Sequence, residues 1–128
     1  MNDFDLSYIE STFADAVRGI GVSDKVFFNR PRSASLDLKD FVVCHVSGGL
    51  NDLAALGRCT VSVSLFAQDV ANMKNAKKLS VMQKKLQSLP LWLNKLLIDG
   101  HPRIVGDTSD GNGYHVRIIN FKVYIKTT

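Results

Sequence analysis

Apolar side chains recur along the chain with two different periods, and each period predicts a different element. Residues 4–20 and 70–89 repeat apolar positions every three or four residues, which is typical of helices with one buried face. Pro90 should interrupt the second helix because proline lacks an amide donor, and we expect the helix to restart and run to Gly100. Asp69 precedes its first turn and is the predicted cap.

Strands are predicted where apolar and polar residues alternate. Residues 36–46 are apolar at even positions and residues 59–65 at odd positions, so each segment should bury one face. Residues 25–28 (KVFF), 101–105 (HPRIV) and 114–126 (YHVRIINFKVYIK) are further strand candidates, rich in β-branched and aromatic residues. Residues 48–57 (GGLNDLAALG) are interpreted as a connection too long for a tight hairpin.

The last strand breaks its own alternation. Val116 and Ile118 are apolar at even positions, whereas Ile119, Phe121 and Val123 are apolar at odd ones. Either a bulge near Ile118 exchanges the two faces, or both faces are covered. With helices on one side only, covering both faces would require a neighbouring subunit.

These elements predict one α+β domain over residues 1–128. We expect a mainly antiparallel sheet of about four to five strands, with two main helices packed on one face, because no β-helix-β unit repeats.

The segment Ser109–His115 (SDGNGYH) resembles part of a calcium loop. Placing Gly113 at the sixth position of such a loop puts Ile119 at the twelfth, where a bidentate glutamate is required. Gly and Asn tolerate positive φ angles and lie here between two strand candidates. We therefore interpret Asp110–Gly113 as a hairpin turn that binds no metal.

Charge is distributed unevenly along the chain. The formal net charge is +4 over 128 residues, and residues 70–128 carry ten bases against three acids. A solvated lysine-rich surface explains this, and an acidic partner such as nucleic acid is the alternative. The chain has no apolar run long enough to span a bilayer and no signal peptide at its start, so we expect reduced thiols in a cytosolic setting.

Residues with catalytic or metal-binding chemistry are few. Cys44 and Cys59 share parity with apolar neighbours and are interpreted as buried thiols. Ser47 lies near His45 without a nucleophile-elbow motif, and the chain has neither paired Cys/His spacing nor a phosphate-binding glycine loop. We expect no enzyme and no cofactor.

The order of elements resembles one protein family. An amphipathic helix ending near glycine (IESTFADAVRGIG) is followed by a short strand and a proline-containing loop (KVFFNRPR). Two strands, the second ending in VSVSLFAQD, precede a long helix from Val70 to Leu97 and a final glycine-rich turn with its strand (DGNGYHVRIINFKVYI). This order resembles the tail terminator and tail-completion proteins of long-tailed bacteriophages, with related minor tail and head–tail neck proteins. The GGLNDLAALG connection departs from that pattern.

The resemblance implies a structural phage or prophage protein that forms a ring, usually a hexamer, capping the tail tube and joining tail to head. Its expected location is the virion tail, with the host bacterial cytoplasm during assembly, and its partners are tail tube and neck proteins. DNA would pass through the ring. The candidate DNA-facing residues, chosen by charge alone, are Arg30, Arg32, Lys74, Lys77, Lys78, Lys84 and Lys85. The candidate subunit-contact loop contains Gly48, Gly49, Leu50, Asn51 and Leu53.

Two alternatives remain open at this point. One is a small nucleic-acid-binding module that uses a lysine-rich helix face. The other is an enzyme of an unfamiliar type, which would need a deep pocket lined by perturbed histidines or acids.

Overall fold

The structure, a computed structural model, describes residues 6–28, 39–53, 56–93, 96–99 and 102–126. Its first element is the helix α1, Leu6–Gly19, which confirms the predicted amphipathic helix. Ile9, Phe13 and Val17 form the buried stripe and are completely inaccessible to solvent. Gly21 follows with a φ of 81° and donates its amide to the Arg18 carbonyl, which ends the helix.

The described residues form a second helix and seven strands, all in one sheet. In chain order these are β1 (Val26–Phe27), β2 (Asp40–Leu53), β3 (Leu56–Gln68), α2 (Ala76–Leu86), β4 (Trp92–Leu93), β5 (Leu96–Ile98), β6 (Arg103–Ser109) and β7 (Tyr114–Lys126). The sheet order is β1-β2-β3-β7-β5-β4, and β6 also pairs with β7. The sheet is mixed because β1 runs parallel to β2, while the other pairs are antiparallel.

The sheet is curled into a half-barrel. Helix α1 contacts β1 and β2 at one end of the strand order and also β4 at the other end, so the helix lies across the gap between the two ends. The expected sheet of four to five strands with both helices packed on one face is therefore wrong. The additional strands and the twist of long antiparallel strands such as β3 and β7 produce curvature that a hydrophobic pattern does not contain.

A large inner core fills the half-barrel. It combines apolar residues of α1 and α2 with alternate residues of β2, β3 and β7. Its members include Val42, Cys44, Val61, Val63, Leu65, Leu79, Met82, Leu86, Leu96, Ile119, Phe121 and Val123. The even positions of β2 from Val42 to Val46 and the odd positions of β3 from Cys59 to Leu65 lie in this core, which confirms those two strands and the faces predicted to be buried. Leu36 and Leu38, the first two apolar positions of the first predicted strand, lie outside the described residues.

Helix α2 is shorter than predicted. It spans only Ala76–Leu86, and its cap is Asn75, whose side chain accepts the Lys78 amide; the assignment of the cap to Asp69 is wrong. The helix does not restart after Pro90, because Trp92–Leu93 (β4) and Leu96–Ile98 (β5) pair with each other as two short antiparallel strands. β5 pairs with β7, so Leu96 and Ile98 complete the inner core through strand pairing instead of through a helical stripe.

The alternation break in β7 has an explanation within one chain. The register of β7 against β3 is continuous from Tyr114 to Lys126, so β7 contains no bulge there. The bulge lies in its other neighbour, β6, where the register shifts between Ile104 and Gly106. On the opposite side from the inner core, Tyr114 and Val116 belong to an outer cluster with Phe41 and Phe66. Covering both faces of β7 therefore does not require a neighbouring subunit.

The GGLNDLAALG segment is not a long connection. β2 continues through it to Leu53, which pairs with Leu56 at the start of β3. The register shifts between Ser47 and Asn51, at the position of Gly48 and Gly49. Glycine tolerates the irregular backbone of such a bulge, so the two glycines bend a continuous strand without ending it.

Candidate functional site

Five lysines lie on α2 or just before it, and together they are called the lysine face: Lys74, Lys77, Lys78, Lys84 and Lys85. Three of them contact other residues of the chain. Lys74 Nζ lies 2.8 Å from an Asp107 carboxylate oxygen, and Lys78 Nζ lies 3.2 Å from Asp40. Lys85 Nζ donates to the Gly21 carbonyl at 3.3 Å, which ties α2 to the end of α1. These three side chains therefore hold elements of the fold together.

Lys77 and Lys84 remain exposed and form no ion pair with a described residue. They are seven residues apart on α2 and so lie on one side of the helix, about 10 Å apart. Arg30 and Arg32, the other two candidate DNA-facing residues, lie outside the described residues. The structure thus brings two of the seven candidates together on a surface that an anion can reach.

A polar network at one end of the sheet was not predicted from the sequence. Asp107 on β6 accepts from Arg117 on β7 and pairs with Lys74, while Arg117 also donates to Gln83 of α2 at 2.8 Å. Partial burial alone would raise the pKa of Asp107. The hydrogen bonds and positive charges of Lys74 and Arg117 outweigh that effect and hold its pKa below the usual value. The one feature of the sequence that could have predicted this network is that Asp107 and Arg117 are equally far from Asn112, in the turn between the two strands, which places them opposite each other on β6 and β7.

Asp69 has a different role from the one predicted. Its carboxylate lies 2.7 Å from Nδ1 of His115 at the start of β7, and its amide donates to the Gly113 carbonyl. The next residues form a tight turn in which Val70 and Met73 exchange backbone hydrogen bonds and Ala71 and Asn72 have positive φ angles. Asp69 and His115 therefore attach this turn to the β6–β7 hairpin.

The predicted hairpin turn at Asp110–Gly113 is confirmed. Asp110 Oδ1 accepts the amides of Asn112 and Tyr114 at 2.7 and 3.1 Å. Gly111 and Gly113 have φ angles of 80° and 90°, the left-handed region that glycine occupies without steric cost. Asp110, which lies at a calcium-ligand position of the loop motif, thus stabilises the turn through these two hydrogen bonds.

Both cysteines are buried free thiols, as predicted. Burial raises the pKa of Cys44 to about 12 and the pKa of Cys59 to about 11. Both thiols therefore stay protonated at neutral pH and behave as small apolar core residues.

The candidate subunit-contact residues Gly48, Gly49, Leu50, Asn51 and Leu53 lie on β2 and not in a loop. Among the described strands, only β3 pairs with Cys44–Leu53, because the short β1 reaches only Val42 and Val43 on the other side. The far edge of this part of β2 thus carries no strand of the described chain. An unpaired edge is a template for another strand.

Exposed apolar side chains occur on β6 and around β4, and both strands lie on the side of β7 opposite to β3. Ile104 and Val105 on β6 are 54% and 52% exposed, and Leu91 and Trp92 around β4 are 55% and 58% exposed. Trp92 lines a groove of about 450 Å³ against α1, with Thr12, Asp15 and Ala16. Leu91 lines a second groove of about 400 Å³ between the end of α2 and β5. Both grooves are shallow surface features.

No helix of the described residues is long and apolar enough to cross a membrane. No group of three or more metal-ligating side chains occurs among the described residues either.

Comparison with known proteins gives a fold but no family. No family model matches the sequence, and no curated protein matches it. Solved structures do match, 21 chains in all, and one of them has a TM-score of 0.58 at 11% identity. That superposition covers 95% of this chain and 93% of the other, whose name is a bare identifier that states no activity. At this identity the likeness shows the fold alone.

Proposed function

We propose that this chain is a structural protein of a bacteriophage or prophage. It self-associates into a ring, of six subunits as the family resemblance implies, that caps the tail tube and joins the tail to the head. Its partners are further copies of itself and the tail tube and neck proteins, and DNA passes through the ring. The protein works in the virion tail after assembly in the host cytoplasm.

The observation that supports self-association best is the edge of β2. From Cys44 to Leu53 the register partners of this strand lie in β3 only, among the described strands. Backbone amides and carbonyls along such an edge gain affinity by pairing with a strand of another chain. A ring of identical subunits covers every such edge, because each copy supplies the same pair of surfaces to its two neighbours.

Molar mass in solution tests the proposal. Light scattering across a wide concentration range should show a shift from monomer to a discrete oligomer, and purified tail tubes should lower the concentration at which it forms. Electron microscopy of the mixture should show rings at tube ends. A chain that stays monomeric at every concentration and ignores tail tubes would contradict the proposal.

The second candidate is a nucleic-acid-binding module, and the exposed pair Lys77 and Lys84 favours it. Because three of the five lysines already have partners within the chain, few cations remain for phosphates. A lysine-pair site predicts retention on heparin with a salt slope of about −2, since the slope follows the number of phosphates neutralised. Lys77→Gln with Lys84→Gln should abolish that retention, while Lys74→Gln with Lys78→Gln should mainly lower stability.

A further inference from the structure

Three cations form one row across the strands β3, β7 and β6. Arg58 on β3 lies opposite Tyr124 in the register of β3 with β7, and Lys122 precedes Tyr124 by two residues on β7. Arg103 begins β6 opposite Asn120, which is again two residues from Lys122. Residues on neighbouring strands that are offset by two positions lie about 7–8 Å apart. Arg58, Lys122 and Arg103 therefore form an evenly spaced diagonal row, called here the cation row.

The cation row lies on the outer face of the sheet, opposite to the inner core. The neighbours of Lys122 along β7, Phe121 and Val123, are buried in the inner core, so Lys122 between them points the other way. Ser62 on β3 donates to Asn120 on β7 at 2.7 Å, which shows that side chains paired in this register share the outer face. The same alternation places the other two cations of the row on that face.

The three side chains of the cation row are accessible to a partner. Arg58, Lys122 and Arg103 are exposed, and none of them forms an ion pair with a described residue. Asp99 follows β5, and its amide donates to the Lys122 carbonyl, but its carboxylate forms no ion pair with that lysine. Asp99 instead lines the groove beside Leu86. The positive charge of the row is therefore not compensated by a described acid, in contrast to most of the lysine face.

The surroundings of the cation row favour nucleic acid over a protein as the partner. The outer positions beside the row are polar and comprise His45, Ser62, Ser64 and Asn120. Among their described residues, β3 and β7 carry none of the large apolar side chains that are exposed. Interfaces between proteins usually have an apolar centre, whereas interfaces with DNA are more polar and more positively charged.

We propose that the cation row binds the phosphate backbone of DNA. Each cation neutralises one phosphate, and the neighbouring hydroxyl and amide groups donate to further backbone oxygens. Contacts to the backbone carry no sequence information, so the binding is independent of sequence. Three cations give weak binding by one copy, and several copies on one DNA add their contacts. The inference deepens the proposed function by naming the surface that faces the DNA, and only the placement of this surface inside a ring rests on that function.

The salt dependence of DNA binding tests the cation row residue by residue. The measurement is the fluorescence anisotropy of a labelled short DNA duplex between about 50 and 200 mM salt. Arg58→Gln, Arg103→Gln and Lys122→Gln should each reduce the slope of log affinity against log salt by about 0.9, and the triple variant should reduce it by about 2.7. A slope of about 2.7 corresponds to a roughly 40-fold change in affinity over this range.

Lys25→Gln is the matched control for the single variants. Lys25 precedes β1, is exposed and forms no ion pair with a described residue, so this variant changes the net charge equally but away from the row. Its slope should equal that of the wild type. Arg58→Lys and Arg103→Lys keep the charge and should also keep the slope, because a positive charge is sufficient for a phosphate contact. Thermal unfolding of each variant checks that the fold is kept.

Light scattering of the same proteins separates this proposal from the ring function. A triple variant that keeps the wild-type slope, or a wild type that binds polyglutamate but no DNA, overturns the cation row and leaves the ring function standing if rings form. A loss of slope only in Lys77→Gln with Lys84→Gln places the DNA on α2 and also overturns the row. A wild type that binds DNA through the row but stays monomeric with tail tubes overturns the ring function alone.

Discussion

The two faces of β7 are built differently, although they belong to the same strand. On one face Ile119, Phe121 and Val123 enter the inner core, where both helices and most strands meet. On the other face Tyr114 and Val116 join Phe41 and Phe66 in the outer cluster, which is small and mainly aromatic. The ring centroids of Phe41 and Phe66 are 4.4 Å apart with an interplanar angle of 9°, so the two rings stack. The ring centroids of Tyr114 and Phe41 are 5.4 Å apart in an edge-to-face arrangement.

This difference shows how one regular strand can bury side chains on both of its faces without a bulge. The inner face is continuous along the half-barrel and excludes water with aliphatic side chains from many elements. The outer face needs cover only near the β6–β7 turn, and a few large rings provide it there, because an aromatic side chain buries much area at one position. Between Ile119 and Val123 only the inner positions of β7 are buried.

The largest expected effect comes from the inner face. Phe121→Ala removes a ring that is 3% exposed and lies 5.3 Å from the ring of Phe13 on α1. We expect it to lower the free energy of unfolding by about 3–5 kcal/mol, since the surrounding residues are fixed by several elements and cannot collapse into the space. Urea unfolding measures the change.

Phe121→Leu is the control for this variant. It keeps most of the apolar volume and should cost less than about 1.5 kcal/mol. A Phe121→Ala protein with the stability of the leucine variant would mean that the inner core is loosely packed.

A smaller loss is expected on the outer face. Phe66→Ala removes one partner of the stacked pair at a position that is 7% exposed. The cluster is local and nearer to solvent, so Phe41 and Val116 can shift toward the gap. We expect a loss of about 2 kcal/mol in the free energy of unfolding. If Phe66→Ala costs as much as Phe121→Ala in the same urea experiment, the two faces of β7 contribute equally to stability.

The smallest effect is the pH dependence between pH 8 and pH 10, which tests whether water is excluded from the inner core. A thiol titrates near 9.0 when it is exposed in the unfolded chain, but burial raises the pKa of Cys44 to about 12 in the folded protein. The stabilising contribution of the neutral thiol is therefore complete below pH 9 and is lost as the pH rises from 9 toward 12. The free energy of unfolding should fall by about 1.4 kcal/mol per pH unit in that window.

Comparison with Cys44→Ala isolates this contribution from other groups. The stability cost of the substitution should shrink by about 1 kcal/mol between pH 8 and pH 10, because the variant has no thiol to ionise. Cys59→Ala should behave similarly over a narrower window, since the pKa of that thiol is raised only to about 11. A cost that is constant with pH would show that water reaches Cys44.

The sequence alone determined the elements in which the apolar side chains repeat with one regular period and form one buried face. The stripe of α1, the alternation of β2 and β3, the buried cysteines and the Asp110–Gly113 turn follow from local spacing and local backbone preference, and all are present. The candidate sites were less predictable. The charge pattern marked the lysine face but did not show that Lys74, Lys78 and Lys85 have partners from distant segments.

Only the tertiary structure decided the rest. Leu96 and Ile98 fit a helical stripe as well as a strand, and pairing with β7 selected the strand. Gly48 and Gly49 are compatible with a loop, and the long register of β2 with β3 made them a bulge in a continuous strand. The curl of the sheet and the part of the β2 edge that no described strand covers arise from which strands pair and where each pairing stops. Those properties depend on contacts between residues far apart in sequence, and a local hydrophobic pattern does not specify them.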